Sequence, residues 1–214
     1  MLIKPTRRAF IGGASLAIAS PAIVRAAGWL PLAKSGAAVL HLTDPNHFAA
    51  GSSWSGINAT GTNNVTGAPD FTLTASEITC VTGGGFAAMR ATIPITMASM
   101  TLYSLTGFVK NNAVPVWCEV LIGDSLASGV NFVQFWFDTT AGAGAAGTTA
   151  TGGGGQVDSL TVSPDANNWN KVVMNFHFTS TPAADNFIDI RFVNSNGGST
   201  ATTSQDFFVW GWGA

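Results

Sequence analysis

Apolar and polar residues alternate along most of the chain after about residue 36, in runs of six to ten residues. A period of two is typical of β-strands that bury one face, whereas helices repeat every 3.6 residues. Clusters of Gly, Asn, Pro and Ser separate these runs, and such clusters form turns. The pattern therefore predicts strands at 39–42, 71–79, 86–94, 101–110, 114–122, 131–138, 156–162, 170–179, 186–193 and 206–212. Strands at this spacing favour an all-β fold, an antiparallel sandwich of two sheets.

Four of these strands have one fully apolar face, which we expect to form the core. Their opposite faces carry indoles together with hydrogen-bonding groups, and the eight residues concerned are Trp117, Glu119, Gln134, Trp136, Asn175, His177, Asp189 and Arg191. If the four strands belong to one sheet, these side chains share a single face. Indoles stack on the apolar face of a sugar ring and polar neighbours orient it, so the face is a candidate carbohydrate-binding site. Alternatively, Trp117 and Trp136 pack under a loop or against a neighbouring subunit.

Two segments between the strands are predicted to be long surface loops. The segment 43–68 is rich in Asn, Gly, Ser and Thr, and the segment 141–155 is almost entirely Gly, Ala and Thr. Glycine supplies flexibility and no packing. The second segment does not resemble a phosphate-binding loop, because no Lys-Ser or Lys-Thr pair follows its glycines.

The sequence offers little for catalysis, and we expect no enzyme, no cofactor and no metal site. The three histidines are His41, His47 and His177, without the Gly-x-Ser-x-Gly elbow of many hydrolases. Glu77 and Glu119 are the only glutamates, and nothing in the sequence pairs them across a cleft as glycoside hydrolysis requires. The two cysteines, Cys80 and Cys118, are too few for a disulfide framework. We expect either two buried thiols or one disulfide, cross-strand or intermolecular, which an oxidising compartment would permit.

The N-terminal 27 residues have the composition of an export signal. Basic residues are followed by an uncharged stretch at 9–24 and by small residues, and TRRAFI at 6–11 resembles a twin-arginine signal. The stretch is too short for a stable membrane span. The segment is either a cleaved signal or a retained N-terminal arm with a short helix near 8–19. After it we expect a linker with the first strand at 28–45 and one sandwich domain at 46–214.

Charge argues against nucleic acid as a partner. From residue 28 onward, five basic residues face eleven acidic ones, which gives a formal charge of −6, and no Lys and Arg cluster exists to neutralise phosphates. Only 9% of the residues are charged. A surface with so few charges has little electrostatic protection against association. We therefore expect self-association or docking into a larger particle.

The order of features from residue 46 onward resembles a carbohydrate-binding-like jelly-roll domain of tailed-phage fibre and decoration proteins. The matching pieces are Trp54, APDFTLTA at 68–75, YSLTGFVK at 103–110, FWFD at 135–138, NWNKV at 168–172 and FFVWGWGA at 207–214. The family pattern often has Gly after the residue equivalent to Asp70, where this chain has Phe71.

This resemblance implies a non-catalytic structural component of a virion, such as a fibre, spike or decoration protein, with host-surface glycans as a contact. The alternative is a bacterial carbohydrate-binding protein that is exported by the twin-arginine route and located in the periplasm or outside the cell. The expected partners are other virion proteins or further copies of the chain, together with a cell-surface polysaccharide.

Overall fold

The computed structural model describes residues 36–49, 52–112, 116–124, 131–183 and 186–213. The predicted signal segment at 1–27 and its helix near 8–19 lie outside the described residues. In the described part, thirteen strands and one short 3-10 helix, Ala166–Asn168, follow one another. The strands are β1 Ala38–Val39, β2 Trp54–Ile57, β3 Ala59–Thr66, β4 Ala75–Cys80, β5 Ala88–Thr92, β6 Tyr103–Asn111, β7 Trp117–Gly123, β8 Phe132–Asp138, β9 Ala146–Gly152, β10 Gly155–Pro164, β11 Asn170–Phe178, β12 Phe187–Val193 and β13 Asp206–Trp210.

These strands form two sheets, as the alternation predicted. The seven-stranded sheet has the order β10-β11-β6-β13-β4-β3, with β1 also paired to β6, and the six-stranded sheet has the order β2-β5-β12-β7-β8-β9. The β1–β6 pair is parallel, and the other described pairs are antiparallel. The architecture is a jelly-roll sandwich, which confirms the predicted fold class.

The core lies between the two sheets and is built from the apolar faces that the sequence identified. Phe135 on β8 meets Phe176 on β11 with ring centroids 6.3 Å apart, and Phe192 on β12 meets Phe207 on β13 at 4.9 Å. Trp212, which follows β13, is fully buried beside Phe137. Each pair joins one sheet to the other, so aromatic packing holds the sandwich together.

Both predicted long loops contain strands, and those two predictions are wrong. The segment 43–68 holds β2 and β3, and the segment 141–155 holds β9 and the start of β10. These four are the outermost strands of their sheets. An outermost strand packs against few neighbours, so Gly, Thr and Asn can fill it, and the apolar alternation by which strands are recognised is weak.

The strand predicted at 71–79 starts later than expected. The first residue of β4 is Ala75, and Phe71 instead has a φ of 66° within a turn. The turn is held by the carboxylate of Asp70, whose Oδ1 accepts the backbone N–H of Thr72 at 3.0 Å and its hydroxyl at 2.6 Å. An aspartate that binds the backbone two residues ahead stabilises a turn against an extended strand.

No helix in the described part of the chain has the length and apolarity needed to cross a membrane.

Candidate functional site

The six-stranded sheet brings together six of the eight predicted site residues. Strands β12, β7 and β8 are neighbours, with Arg191 opposite Glu119 and Glu119 opposite Trp136. Asp189, Gln134 and Trp117 lie on the same outward face of these strands.

The prediction of one shared face is wrong for Asn175 and His177. Both lie on β11, which belongs to the seven-stranded sheet, and both face outward there between buried neighbours. Alternation within a strand shows which residues share a side of that strand, but it does not show to which sheet the strand belongs.

The outward face of the six-stranded sheet carries a network of arginines and carboxylates. Arg90 donates to both oxygens of Asp189, at 2.6 and 2.7 Å. Arg191 donates to Asp189 at 2.9 and 3.2 Å and to Glu119 at 2.9 Å. Gln134 donates a further hydrogen bond to Glu119 at 2.7 Å. Both carboxylate side chains are fully buried, whereas the arginines stay 17–20% exposed, so arginine covers each acid.

Glu119 is the member of this network whose hydrogen bonding is incomplete. Its Oε1 accepts from Arg191 and Gln134, but its Oε2 is buried without a hydrogen-bond partner among the described residues. Burial raises the pKa of the Glu119 carboxyl, and the positive charge of Arg191 opposes this rise only in part. A proton on Oε2 is therefore better tolerated here than on an exposed glutamate.

The predicted indole platform of this face is covered at Trp136, whereas Trp117 is half-buried. Trp136 is only 6% exposed, and its Nε1 donates to the carbonyl of Gly198 at 2.9 Å in the segment between β12 and β13. The ring of Trp117 contacts Gly147 of β9 so closely that a Cβ at Gly147 would lie 2.7 Å from it. Trp136 thus packs under a loop, as the alternative interpretation of the sequence had it.

A different set of aromatic side chains, partly exposed, lies on the outer face of the seven-stranded sheet. Phe108 of β6 pairs with Trp210 of β13, and their rings meet edge to face with centroids 5.3 Å apart. Phe208 lies two residues before Trp210 on the same side, and all three rings are half-buried. We call the surface formed by Phe108, Lys110, Lys171, Phe208 and Trp210 the aromatic face.

The aromatic face was not among the sites predicted from the sequence. Phe207 and Val209 fill the core side of β13, so Phe208 and Trp210 must point outward. Two adjacent phenylalanines in one strand were the available signal, because successive side chains of a strand lie on opposite sides.

A buried indole packs against the aromatic face. Trp169 is fully buried, and its Nε1 donates to the carbonyl of Gly67 at 3.0 Å. The Lys110 ammonium lies 4.9 Å from the Trp169 ring centroid and 5.5 Å from that of Phe208. Burial lowers the pKa of Lys110.

The loop before β4 borders the aromatic face at its apolar end. Thr74 accepts a hydrogen bond at 3.0 Å from the Nε1 of Trp210, which fixes the indole against the loop. At the tip of this loop Phe71 is 77% exposed and Leu73 is 65% exposed. The molecule therefore holds two large apolar side chains in solvent beside the aromatic rings.

Beyond Phe108, the same side of the sheet becomes polar. Asn175 lies opposite Ser104 of β6 and donates to the hydroxyl of Ser159 at 2.8 Å. His177 lies 2.8 Å from the carboxylate of Asp158, both on β-strands of this sheet. One continuous surface thus offers aromatic rings at one end and hydroxyl, amide and imidazole groups at the other.

The cysteines do not form the disulfide that the sequence left open. Cys80 lies on β4 and Cys118 on β7, in different sheets, and both are free, buried thiols. Burial raises the pKa of both thiols, which makes them poor nucleophiles in the folded protein. Within the described residues no group of three His, Cys, Asp or Glu side chains is placed to hold a metal ion.

Comparison with known proteins finds one distant structural neighbour to report. No protein-family model matches the chain, and no curated protein matches it. Among solved structures, it is similar to the N-terminal CBM22-1–GH10 modules of the Clostridium thermocellum endo-1,4-beta-D-xylanase 10B, determined in complex with xylohexaose. The identity is 13% and the TM-score 0.46, over 81% of this chain and 27% of the xylanase chain. At these values the similarity carries no argument about function.

Proposed function

We propose that this protein is a non-catalytic carbohydrate-binding sandwich, and that a glycan lies along the aromatic face. The observation that carries the proposal is the set of three half-buried rings, Phe108, Phe208 and Trp210, next to a polar stretch of the same sheet. Aromatic rings stack on the CH face of a pyranose, and hydroxyl and amide groups bind its hydroxyls. A continuous surface of this kind suits a chain of several sugar units.

The non-catalytic part of the proposal is supported by the state of the carboxylates on the six-stranded sheet. Asp189 and Glu119 are fully buried and are held by Arg90 and Arg191. Glycoside hydrolysis needs one carboxyl group that can protonate a bound substrate and a second that can reach its anomeric carbon or a water. Two acids covered by guanidinium groups suit neither role.

The test is glycan-array binding followed by titration of the best ligand. Trp210→Ala and Phe208→Ala should each weaken binding about three- to tenfold, the size of one stacking contact. Phe86→Ala is the matched control, because Phe86 is a half-buried ring just before β5 of the other sheet, 4.5 Å from the Arg191 guanidinium. Loss of binding in the control alone, or no glycan bound by the wild-type protein, would exclude the proposal.

A second candidate function is that of a structural component of a larger assembly, such as a virion fibre or decoration protein, and it is favoured by one observation. Phe71 and Leu73 protrude from the loop before β4, and protruding apolar side chains commonly enter a partner protein. In this candidate the protein resides on a particle rather than free in the periplasm. Sedimentation of the wild type and of Phe71→Ser/Leu73→Ser tests it: association that the double variant does not weaken would refute it.

A further inference from the structure

The basic side chains of the described chain fall into two kinds. Arg90 and Arg191 are bound to buried carboxylates on the six-stranded sheet. Lys110 and Lys171 form no ion pair with any described residue, and both lie on the aromatic face. In a chain that is acidic after its N-terminal segment, the cations without partners are thus concentrated at the proposed glycan surface.

The two lysines flank one aromatic ring. Lys171 of β11 lies directly opposite Phe108 of β6, and Lys110 is two residues beyond Phe108 on the same side of the strand. Diagonal neighbours on an antiparallel pair are about 7–8 Å apart, and a lysine side chain is long and flexible. Both ammonium groups can therefore reach one anionic group placed above Phe108.

The acids of this sheet face form no ion pair with the lysines, although Asp206 on β13 is a diagonal neighbour of Lys110. Asn112 donates to Glu77 at 2.8 Å and to Asp206 at 3.4 Å, and Asp158 is paired with His177. Lys110 lies opposite Phe208 on one side of β13, and Glu77 lies opposite Phe208 on the other side. Lys110 and Glu77 are therefore two strand spacings apart, about 10 Å. The positive charge at Phe108 is thus left for a ligand.

The surroundings of Lys110 add to this argument. Its ammonium group lies over the rings of Trp169 and Phe208 and is partly removed from water. A desolvated cation without a counter-ion is unfavourable, and an anion that binds beside it relieves the cost. Rings alone would serve a neutral sugar; rings with two unpaired ammonium groups suit a sugar with a negative charge.

We infer that the glycan is anionic, a polysaccharide of uronic acids, with a sugar ring on Phe108 and its carboxylate between Lys110 and Lys171. The inference rests on the proposed function and narrows its ligand class.

The experiment compares three uronic-acid polymers, polygalacturonate, alginate and glucuronoxylan, with their carboxyl-reduced, neutral counterparts. Calorimetric titration of the full chain should show at least one acidic polymer binding more tightly than its neutral counterpart, with an affinity that falls as NaCl is raised. Lys110→Gln and Lys171→Gln should each weaken that binding about two- to fivefold and reduce the salt dependence. Ser199→Glu is the control for net charge, since Ser199 is exposed in the loop on the six-stranded side, and it should leave the affinity unchanged. Circular dichroism and Tm confirm that each variant is folded.

Other outcomes distinguish the inference of an anionic ligand from the proposed function of carbohydrate binding. Equal binding of acidic and neutral polymers, unaffected by either lysine change, would overturn the anionic ligand and leave the proposed function standing. Tighter binding of dextran sulfate than of every uronic-acid polymer would overturn the assignment of a carboxylate as the bound anionic group. Weakening by Ser199→Glu as large as that by Lys171→Gln would show an effect of net charge and overturn the assigned position. Absence of binding to all of these polymers and to a neutral glycan array would reject the proposed function itself.

Discussion

Removal of the Arg191 guanidinium should destabilise the fold strongly. In Arg191→Met the buried Glu119 loses its 2.9 Å hydrogen bond and its only salt-bridge partner among the described residues, whereas Asp189 keeps Arg90. Removing one member of a buried ion pair typically costs about 3–5 kcal/mol, because the other charge stays buried without compensation. We expect a loss of this size in the free energy of unfolding at pH 7.

A second substitution should restore much of that loss. Glu119→Gln removes the uncompensated charge and keeps a side chain of the same shape, whose amide can still contact Gln134. By itself, Glu119→Gln should change the stability by less than about 1.5 kcal/mol, since a hydrogen bond is kept and a desolvated charge is removed. The double variant should therefore be at least about 2 kcal/mol more stable than Arg191→Met alone.

The pH dependence gives an independent check with a defined sign. Burial raises the pKa of Glu119 in the folded protein above its unfolded value. Its contribution to stability is then fully present below the unfolded pKa and is lost as the pH rises through the folded pKa. The wild type should therefore lose stability relative to Glu119→Gln as the pH rises from about 4. In Arg191→Met the charge that opposes the rise in the Glu119 pKa is absent, so the same loss of stability should extend over a wider pH range.

Urea unfolding, followed by tryptophan fluorescence between pH 4 and pH 8, measures all four proteins. The reasoning is refuted if the double variant is no more stable than Arg191→Met. It is also refuted if the difference between the wild type and Glu119→Gln is independent of pH or has the opposite slope.

Three further predictions concern the loop over the indoles, the core and the thiols. Trp136→Phe loses the hydrogen bond to Gly198 and should cost about 1 kcal/mol in chemical denaturation while glycan binding is unchanged; weaker binding would return Trp136 to the site. Gly107→Ala places a Cβ into the ring of buried Trp212 and should cost about 1–3 kcal/mol; an unchanged urea midpoint would contradict this packing. Cys80 and Cys118 are free and buried, so a reductant should leave the Tm unchanged and both thiols should react with a thiol reagent only after unfolding; rapid labelling of the native protein would contradict their burial.

The sequence predicted well those strands that have one buried face. In β8, β11 and β12 the apolar set is continuous and every member is buried, because burial of one side imposes a period of two. It failed at β3 and β9, outermost strands that consist mostly of Gly, Ala, Thr and Asn, and at β2, an outermost strand of only four residues.

The candidate site was harder to predict, because it depends on how strands pair. Asn175 and His177 lie on the side of β11 that the sequence predicted, but β11 pairs with β6 and not with β7 or β8. Whether an outward indole is open also depends on the covering segment: Trp136 lies under Gly198, and Trp210 is only bordered by Thr74. Contacts between residues so distant in the chain leave no periodic signal in one sequence.

The glycine- and alanine-rich segment at 141–155 has a practical consequence for protein engineering. A segment of this composition is where an epitope tag or a foreign peptide is usually inserted, on the assumption that it is a flexible linker. Here it contains the β9 strand and the two-glycine connection to β10, which joins the six-stranded sheet to the seven-stranded sheet. An insertion within β9 would shift its pairing with β8 and move Gly147 away from Trp117.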